Sequence, residues 1–299
     1  MKNIEELLQM KIKRPFGVFL SGGVDSGILA ALLKPDYAIT LTYDPSVVGE
    51  KYSELGSAID IANTLKIPLK VVVPQRVDVR LDFEEAVKII GKPINSVSIY
   101  SWYQIMKEAK KLGYERMVGG EGADELFGGY ARYIILNQIA EMYRSEELKH
   151  YKPMLDKVFG SINQVHEFIT GQTRPSEFPQ TDTITHIGKW EYENGLQDIV
   201  FMEKQLAEHF GIELYLPFMQ KSVKDYALKL PEDQKIRGYL TKVCLRDIAS
   251  KYLPYHVTYR KHKQGFISPI LKWLELEGDY EFDKSKYVEL QKEILGGKN

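Results

Sequence analysis

The sequence predicts an α/β fold: a doubly wound, mostly parallel sheet with helices on both faces, followed by a mainly helical C-terminal part. From residue 16 to about residue 119, short apolar runs alternate with longer amphipathic runs, which is the pattern of βαβ units. Val71, Val72 and Val73 follow one another without polar alternation, as in a strand that is covered on both faces. A turn with two glycines, Gly22 and Gly23, separates the first apolar run from a helical pattern.

The predicted elements follow these patterns in chain order. Strands are predicted at 16–20, 37–43, 69–73 and 115–119. Helices are predicted between them at 26–33, 51–65, 80–90 and 98–112. The third of these helices ends at Gly91 with Pro93 just beyond, which is a typical stop signal.

The pattern changes near Tyr130, where the strands give way to helical segments joined by polar loops. Helices are predicted at 131–150, 196–210, 219–229 and 240–252, and an exposed loop rich in Thr, Pro and Gln at 171–185. The stretch from about residue 279 is charged and weakly patterned, and the last four residues are expected to fray. The change divides the chain into an α/β core at 1–130 and a mainly helical part at 131–299, with one continuous domain as the alternative.

Composition excludes several classes of function. Lys and Arg number 40 against 41 Asp and Glu, so no basic field predicts a nucleic-acid partner. Cys244 is the one cysteine, which excludes an intrachain disulfide and a multi-cysteine metal site and favours a reducing compartment. The six histidines form no i, i+3 or i, i+4 pair, which argues against a histidine metal site. No apolar stretch approaches the roughly 18 residues of a membrane span, so a cytoplasmic location without a membrane partner is expected.

The turn Ser21-Gly22-Gly23-Val24-Asp25-Ser26 has the properties of a phosphate cradle. Two glycines let the backbone adopt positive φ and approach a ligand closely. The helix that follows offers unpaired N–H groups and the positive end of its dipole to an anion. The simpler alternative is a tight strand-to-helix turn in which Ser26 or Asp25 is the N-cap.

A second glycine-rich loop follows the fourth predicted strand. Residues 119–130 contain five glycines and three carboxylates, at Glu121, Asp124 and Glu125. Carboxylates beside a phosphate site would repel the ligand unless a divalent cation lies between them. The same holds for Asp25, which would also repel a phosphate unless a cation lies between them. The loop therefore predicts a Mg²⁺ site that neutralises a departing pyrophosphate. The alternative is that Asp124 and Glu125 cap a helix that begins near Leu126.

Four segments resemble a known family. Residues 21–26 resemble the PP-loop of the ATP pyrophosphatases, which implies an adenine nucleotide hydrolase-like fold. With Gly-Glu-Gly-Ala-Asp-Glu-Leu-Phe-Gly-Gly-Tyr at 120–130, they resemble the synthetase domain of glutamine-dependent asparagine synthetases and the related β-lactam synthetases. Lys242-Val243-Cys244-Leu245-Arg246 and Arg260-Lys261-His262-Lys263-Gln264-Gly265-Phe266 are similar to C-terminal segments of that family. The resemblance covers residues 16 to about 275.

The resemblance implies an AMP-forming carbon–nitrogen ligase that uses ATP and Mg²⁺. In this family a carboxylate, with aspartate as the leading expectation here, attacks the α-phosphate of ATP and releases pyrophosphate, and ammonia then displaces AMP to form an amide. The pyrophosphate would be held by Ser21, Gly22, Gly23 and Ser26. Mg²⁺ would be held by Asp25 and Asp124. Adenine would lie near the strand ends, at Leu20, Thr42, Val73 and Gly120.

The resemblance also implies catalytic roles for three residues. Glu121 would orient or deprotonate the incoming ammonia. The lysine that acts on the intermediate maps to Lys263, directly before Gln264, with Lys261 as the rival. A cation there suits the negative charge that develops at the α-phosphate and at the amide-forming centre. The alternative is that both lysines are solvated surface charges.

The sequence departs from the family pattern at two places. The family carries an N-terminal glutaminase domain with an N-terminal cysteine, whereas this sequence opens on the synthetase part with Lys2 as its second residue. The expected nitrogen source is therefore free ammonia or a separate glutaminase subunit. Tyr215 and Gln220 stand where the family has Arg and Asp, which weakens the case for aspartate because a lost charge-assisted contact costs about 1.5 to 3 kcal/mol.

Alternatives to this function remain open at the sequence level. Within the fold they are an adenylating enzyme for another carboxylate, as in β-lactam synthetases, and an ATP-binding relative without turnover. Nucleic-acid modification lacks a cysteine pair for sulfur transfer and a basic stripe with interleaved aromatics. A homodimer is a further candidate assembly, on which the sequence gives no signal.

Overall fold

The computed structural model describes residues 3–48, 54–146, 183–260, 268–276 and 284–296. A sheet of five strands in the order β3-β2-β1-β4-β5 forms its centre, and all four strand pairings are parallel. The strands are β1 Gly17–Phe19, β2 Tyr37–Leu41, β3 Leu69–Val72, β4 Arg116–Val118 and β5 Glu213–Tyr215. A hairpin, β6 Ile236–Arg237 and β7 Leu240–Thr241, forms a second sheet. The predicted α/β fold with its parallel sheet is confirmed.

Helices connect the strands and cover the sheet. In chain order the first eight are α1 Ile4–Leu8, α2 Val24–Leu33, α3 Pro45–Val48, α4 Leu55–Leu65, α5 Val79–Ile90, α6 Ile99–Lys111, α7 Ala123–Phe127 and α8 Ala131–Arg144. The others are α9 Ile184–Glu193, α10 Gly195–His209, α11 Lys221–Ala227, α12 Val243–Ala249, α13 Tyr255–Thr258, α14 Ile270–Trp273 and α15 Lys284–Ile294. Short 3₁₀ turns lie at Pro217–Met219 and Glu232–Gln234. No helix in these described ranges is long and apolar enough to cross a membrane.

Successive residues of the central strands pack on opposite faces of the sheet. Val18 belongs to a buried cluster with α2, while Phe19 belongs to a second cluster with α5 and α6. Ala38 and Ile39 of β2 divide in the same way. Both faces are therefore covered, which explains why the strands read as apolar runs rather than as alternating patterns.

Several elements differ from the sequence prediction. The helix predicted at 240–252 is wrong at its start, where Leu240–Thr241 forms β7 and pairs with β6, so α12 begins only at Val243. β5 is absent from the predicted strands, and it extends the sheet beside β4, where the Gly119 N–H donates to the Tyr215 carbonyl oxygen at 2.9 Å. Helix α9 begins at Ile184, with Thr183 as its N-cap, inside the predicted loop at 171–185, of which 171–182 lie outside the described residues. Helix α15 forms in the weakly patterned C-terminal stretch because Tyr287 and Leu290 pack in the core. The division at residue 130 stays a prediction.

The strand order places the functional loops together. β1 and β4 are neighbours in the sheet, yet the chain leaves β1 toward β2 on one side and continues from β4 toward β5 on the other. In open parallel sheets, ligands bind beyond the carboxyl ends of the strands at such a point of reversal. The turn after β1 and the loop after β4 both lie there.

Candidate active site

The turn after β1 is held by two serine hydroxyl groups. The Ser21 and Ser26 oxygens lie 3.1 Å apart, and the Ser21 N–H donates to the Ser26 hydroxyl at 3.2 Å. The Gly23 N–H donates to the Ser21 hydroxyl at 3.3 Å. Helix α2 begins at Val24 with Gly23 as its N-cap and without a side-chain cap. The alternative in which Ser26 or Asp25 caps the helix is therefore wrong, and the turn keeps the geometry of an anion cradle.

Gly22 adopts a conformation that only glycine accepts there. Its φ is +81°, and a Cβ atom on this residue would lie 2.6 Å from the Glu54 carbonyl oxygen. The Glu54 carboxylate in turn accepts a hydrogen bond from the guanidinium of Arg260 at 2.5 Å. The cradle is thus fixed against the segment before α4, and this ion pair stands at its side.

The loop after β4 leads into α7, whose N-cap is Gly122 without a side-chain cap. Asp124 turns instead to Lys242, and Glu125 accepts a hydrogen bond from the Tyr130 hydroxyl at 2.5 Å. Burial and then the charge of Asp124 raise the pKa of Glu125 to about 7. The alternative in which Asp124 and Glu125 cap the helix is therefore wrong.

Lys242 joins the two carboxylates that the sequence assigns to Mg²⁺. Its Nζ lies 2.5 Å from Asp25 Oδ2 and 2.6 Å from Asp124 Oδ1. The lysine side chain is 4% exposed and the two carboxylates are 14% and 16% exposed. Lys242 precedes α12 with φ +54°, an uncommon conformation for a lysine that persists only where the surroundings enforce it. The turn after β1 and the loop after β4 therefore converge on one cation.

Gly129 leaves room for the contact between Lys242 and Asp124. A Cβ atom there would lie 1.9 Å from Asp124 Oδ1 and 2.2 Å from the Lys242 Cε. Any side chain at this position would push the carboxylate and the ammonium apart. A glycine at position 129 is thus explained by the close approach of the backbone to the ion pair.

The donor set fits Mg²⁺. Among the described residues there is no group of three or more His, Cys, Asp or Glu side chains that could enclose a metal. Mg²⁺ ordinarily uses one or two carboxylates and completes its shell with substrate phosphates and water. Since one ammonium nitrogen contacts both Asp25 and Asp124, their oxygens lie within reach of a single cation, and Asp25 and Asp124 are the residues that would hold it.

Arginines complete the positive lining of the cleft. Ser21, Asp25, Lys242, Arg246 and Arg260 share one cleft beside the cradle. The buried guanidinium of Arg246 donates to the Thr241 carbonyl oxygen at 2.6 Å and also to the Thr258 carbonyl oxygen. These bonds fix the orientation of Arg246. The cleft therefore presents three cations to the space where the PP-loop resemblance expects pyrophosphate.

Cys244 lies in the same motif as Lys242, but its surroundings are different. It is buried, and burial raises the pKa of its thiol to about 12. A thiol with so high a pKa is a packing group rather than a nucleophile.

The residues expected around adenine follow four neighbouring strands. Leu20, Thr42 and Val73 come directly after β1, β2 and β3, and Gly120 comes two residues after β4. The Leu20 and Thr42 N–H groups donate to Ile39 and Val72 carbonyl oxygens at 2.9 Å, which continues the sheet to this edge. Their contact with adenine stays a prediction.

Glu121 has an acidic neighbour that the sequence assigns no role. Glu203 on α10 is fully buried, and its carboxyl interacts with that of Glu121. Burial first, and the charge of Glu121 second, raise the pKa of Glu203 well above its ordinary value. The signal in the sequence is an acidic residue on the apolar face of the 196–210 helix, beside Met202 and Leu206. Lys242 likewise lies within a family-like motif, and the sequence assigns it no role of its own.

The remaining site residues are placed as follows. Lys261 and Lys263 lie outside the described residues, so their roles stay predictions. The Tyr215 hydroxyl donates to Glu213 at 2.5 Å. The Gln220 amide donates to the carbonyl oxygens of Leu7 at 3.4 Å and Pro217 at 3.2 Å. These contacts belong to the sheet edge and to the packing of α1 rather than to the cradle.

Comparison with known proteins adds an independent finding. The model of the asparagine synthase family matches residues 7–291. Asparagine synthetase [glutamine-hydrolyzing] 1 of Bacillus subtilis (strain 168) is 28% identical over 90% of this chain and 49% of its own length. Asparagine synthetase B [glutamine-hydrolyzing] of Escherichia coli (strain K12) is 23% identical over 87% of this chain and 42% of its own length. The chain thus spans about half the length of the curated relatives that it matches.

Proposed function

The chain belongs to the asparagine synthase family, and from this premise we propose that it is an AMP-forming amide ligase that uses ATP, Mg²⁺ and ammonia. The observation that carries the proposal is the convergence of Asp25 and Asp124 on Lys242 beside the Ser21–Ser26 turn. An anion cradle, a pair of carboxylates and a buried cation at one edge of a parallel sheet suit the departure of pyrophosphate from a nucleotide.

In the first half-reaction, a substrate carboxylate oxygen attacks the α-phosphorus of ATP, and the bond from that phosphorus to the bridging oxygen of pyrophosphate breaks. The amides after β1 and the hydroxyl groups of Ser21 and Ser26 bind the leaving pyrophosphate. Lys242, Arg246 and Arg260 stabilise the charge that develops on it. Mg²⁺ held by Asp25 and Asp124 supplies further charge neutralisation when bound.

In the second half-reaction, ammonia attacks the carbonyl carbon of the acyl-adenylate. The new C–N bond forms, the nitrogen passes a proton to the carboxylate of Glu121, and the C–O bond to AMP breaks with its electron pair on AMP. Lys263, or Lys261 in its place, neutralises the charge on the α-phosphate and on the tetrahedral centre. The nitrogen source is free ammonia or ammonia from a separate glutaminase subunit.

Aspartate is the leading carboxylate substrate. Support comes from the family and from the long match at residues 120–130. The polar atoms of Tyr215 and Gln220 bond to Glu213, Leu7 and Pro217, so the charges replaced at these positions need not belong to the substrate site. The alternative is another carboxylate, activated in the same way. A cytoplasmic location is proposed from the single buried cysteine.

A substrate screen tests the proposal. Exchange of labelled pyrophosphate into ATP is measured with aspartate and with other carboxylates, and AMP formation is then measured with ammonium and with glutamine separately. We expect aspartate-dependent exchange and ammonium-dependent AMP formation. Exchange only with a carboxylate that is not an amino acid would overturn the aspartate assignment, and no exchange with any carboxylate would overturn the ligase assignment.

A matched pair of variants ties the activity to the carboxylates. We expect Asp124→Asn to lower the exchange rate at least tenfold, because a charge-assisted contact of about 1.5–3 kcal/mol is lost. Asp82→Asn is the control, since Asp82 is similarly exposed, at 17%, and pairs with Lys107 at 2.7 Å away from the cradle. Equal rates in the two variants would contradict the role of Asp124.

A further inference from the structure

The buried carboxyl of Glu203 lacks the partners that a buried charge requires. Its side chain is 0% exposed, and neither carboxyl oxygen meets a hydrogen-bond donor in the described part of the chain. The group that faces it is the carboxylate of Glu121. Two carboxyl groups in contact cannot both ionise at moderate cost, so the pair shares one proton.

Most charged groups on the elements around α10 pair with groups other than Glu203. Helix α10 packs against α5, α6, α9 and β5. The contacts on these elements include Glu85 with the Tyr103 hydroxyl, Lys107 with Asp82, Glu191 with Arg132, Glu213 with Arg116, Arg80 with Glu84, Glu108 with Lys70 and Lys111, and Glu193 with Lys189 and Lys224. On α10 itself, His209 lies 4.0 Å from Glu85, and Asp198 pairs with Lys92. Glu121 is thus the titratable group that acts on Glu203.

We propose that Glu203 is a positioning residue for amide formation: as a neutral carboxylic acid it donates a hydrogen bond to the Glu121 carboxylate and fixes the oxygen that receives the proton of the attacking ammonia. The inference rests on the proposed function, because it refines the role of Glu121 in the second half-reaction. Burial favours the neutral form of Glu203 and so agrees with its role as donor.

Glu121 accepts the proton that the amide-forming step releases. When ammonia adds to the acyl carbon, its nitrogen becomes positive, and one N–H proton moves to the carboxylate of Glu121. AMP leaves with the electron pair of the C–O bond. Glu203 keeps its own proton throughout and returns unchanged, so no further acid or base is required.

Two variants separate a donor from a packing group. Glu203→Gln keeps a hydrogen-bond donor of nearly the same shape, whereas Glu203→Leu removes the donor and leaves an apolar side chain. Both are assayed for carboxylate-dependent pyrophosphate exchange, which reports adenylation, and for ammonium-dependent AMP formation, which reports the amide step. Thermal melting checks that both variants fold.

We expect Glu203→Leu to lower AMP formation at least tenfold while its exchange rate stays within twofold of the wild type. Glu203→Gln is expected to stay within threefold in both assays. The wild type should lose amide formation as the pH rises through the raised pKa of Glu203, and Glu203→Gln should lack this loss because an amide does not titrate. A protonated-carboxyl band in the infrared spectrum, at the pH of the activity assay, should be present in the wild type and absent from Glu203→Gln.

Specific outcomes overturn the inference. Equal AMP formation in Glu203→Leu and the wild type overturns the positioning role, as does a parallel fall of both half-reactions. An unchanged carboxyl band in Glu203→Gln overturns the shared proton. Absence of carboxylate-dependent exchange in the wild type is a different failure, because it overturns the proposed function itself.

Discussion

Replacing Lys242 with methionine leaves Asp25 and Asp124 facing each other without the ammonium that now lies between them. The lysine is 4% exposed, so water cannot take its place without opening the junction. Methionine is similar in length and is apolar, so it fills the volume without supplying charge. The expected result is a loss of stability that a divalent cation reverses.

The structure sets the size of the effect. Removing one partner of a buried ion pair costs about 3–5 kcal/mol. Because the carboxylates of Asp25 and Asp124 keep 14% and 16% exposure, we expect a loss at the low end, about 3 kcal/mol. With about 2.1 cal/mol/K of unfolding entropy per residue, a chain of 299 residues then melts about 5 °C lower.

Magnesium should reverse this loss in Lys242→Met. Binding at one hundred times its dissociation constant stabilises a protein by about 2.7 kcal/mol, or about 4 °C here. In the wild type Mg²⁺ must compete with the ammonium for the same carboxylates, so a smaller shift is expected.

The assay is thermal melting of both proteins with and without Mg²⁺. Lys235→Met is the control, because Lys235 is also a buried lysine but donates to the Thr185 hydroxyl at 2.9 Å rather than to a carboxylate pair. Its melting temperature should not respond to Mg²⁺ more than that of the wild type. Equal Mg²⁺ shifts in wild type and Lys242→Met would refute the reasoning that both cations use one position.

Further predictions concern the loop, the cleft and pH. Gly129→Ala should lower pyrophosphate release about a hundredfold, since its Cβ would displace the Asp124 carboxylate; Gly56→Ala, which meets nothing within 4 Å, should not. Arg260→Gln should raise the inhibition constant of pyrophosphate at least tenfold in product-inhibition kinetics, because a charge-assisted contact of about 1.5–3 kcal/mol is lost. Burial lowers the pKa of Lys235 from 10.5 to about 8, so the folded protein binds fewer protons than the unfolded chain between these values and stability rises with pH there. Denaturant titrations across that window should show a smaller rise for Lys235→Met than for the wild type.

The strands and the two glycine loops could be predicted because their signals are local. The apolar run at 16–20 and the glycines that follow it determine β1 and its turn almost by themselves, and so does the run of valines at 71–73 for β3. β5 has no such signal. Three residues are too few to show the alternation of apolar and polar side chains that predicts a strand. Pairing with β4 determines their conformation instead.

The roles of Lys242 and Glu203 could not be predicted from local patterns either, because contacts between residues far apart in the sequence determine them. Residues 25, 124 and 242 converge only once the sheet has formed, and no spacing in the sequence relates them. The sequence does show Glu203 as a carboxyl group on the apolar face of a predicted helix. This pattern predicts a buried carboxyl group but does not predict which residue faces it. A polar residue within an apolar stripe therefore indicates where a site lies, whereas the chemistry of the site follows only from the contacts in the folded protein.

Carboxyl groups of the site differ in their neighbours, and the neighbours determine which role each group suits. Asp124 has an ammonium between itself and Asp25, an arrangement that suits a cation and a polyphosphate. Glu121, three residues earlier on the same loop, has a buried carboxylic acid beside it, an arrangement that suits the acceptance of a proton. Pairs of titratable groups with opposed environments commonly divide charge stabilisation from acid–base work. Because one loop carries both groups, loss of Lys242 should impair the release of pyrophosphate, whereas loss of the Glu203 proton should impair only the formation of the amide.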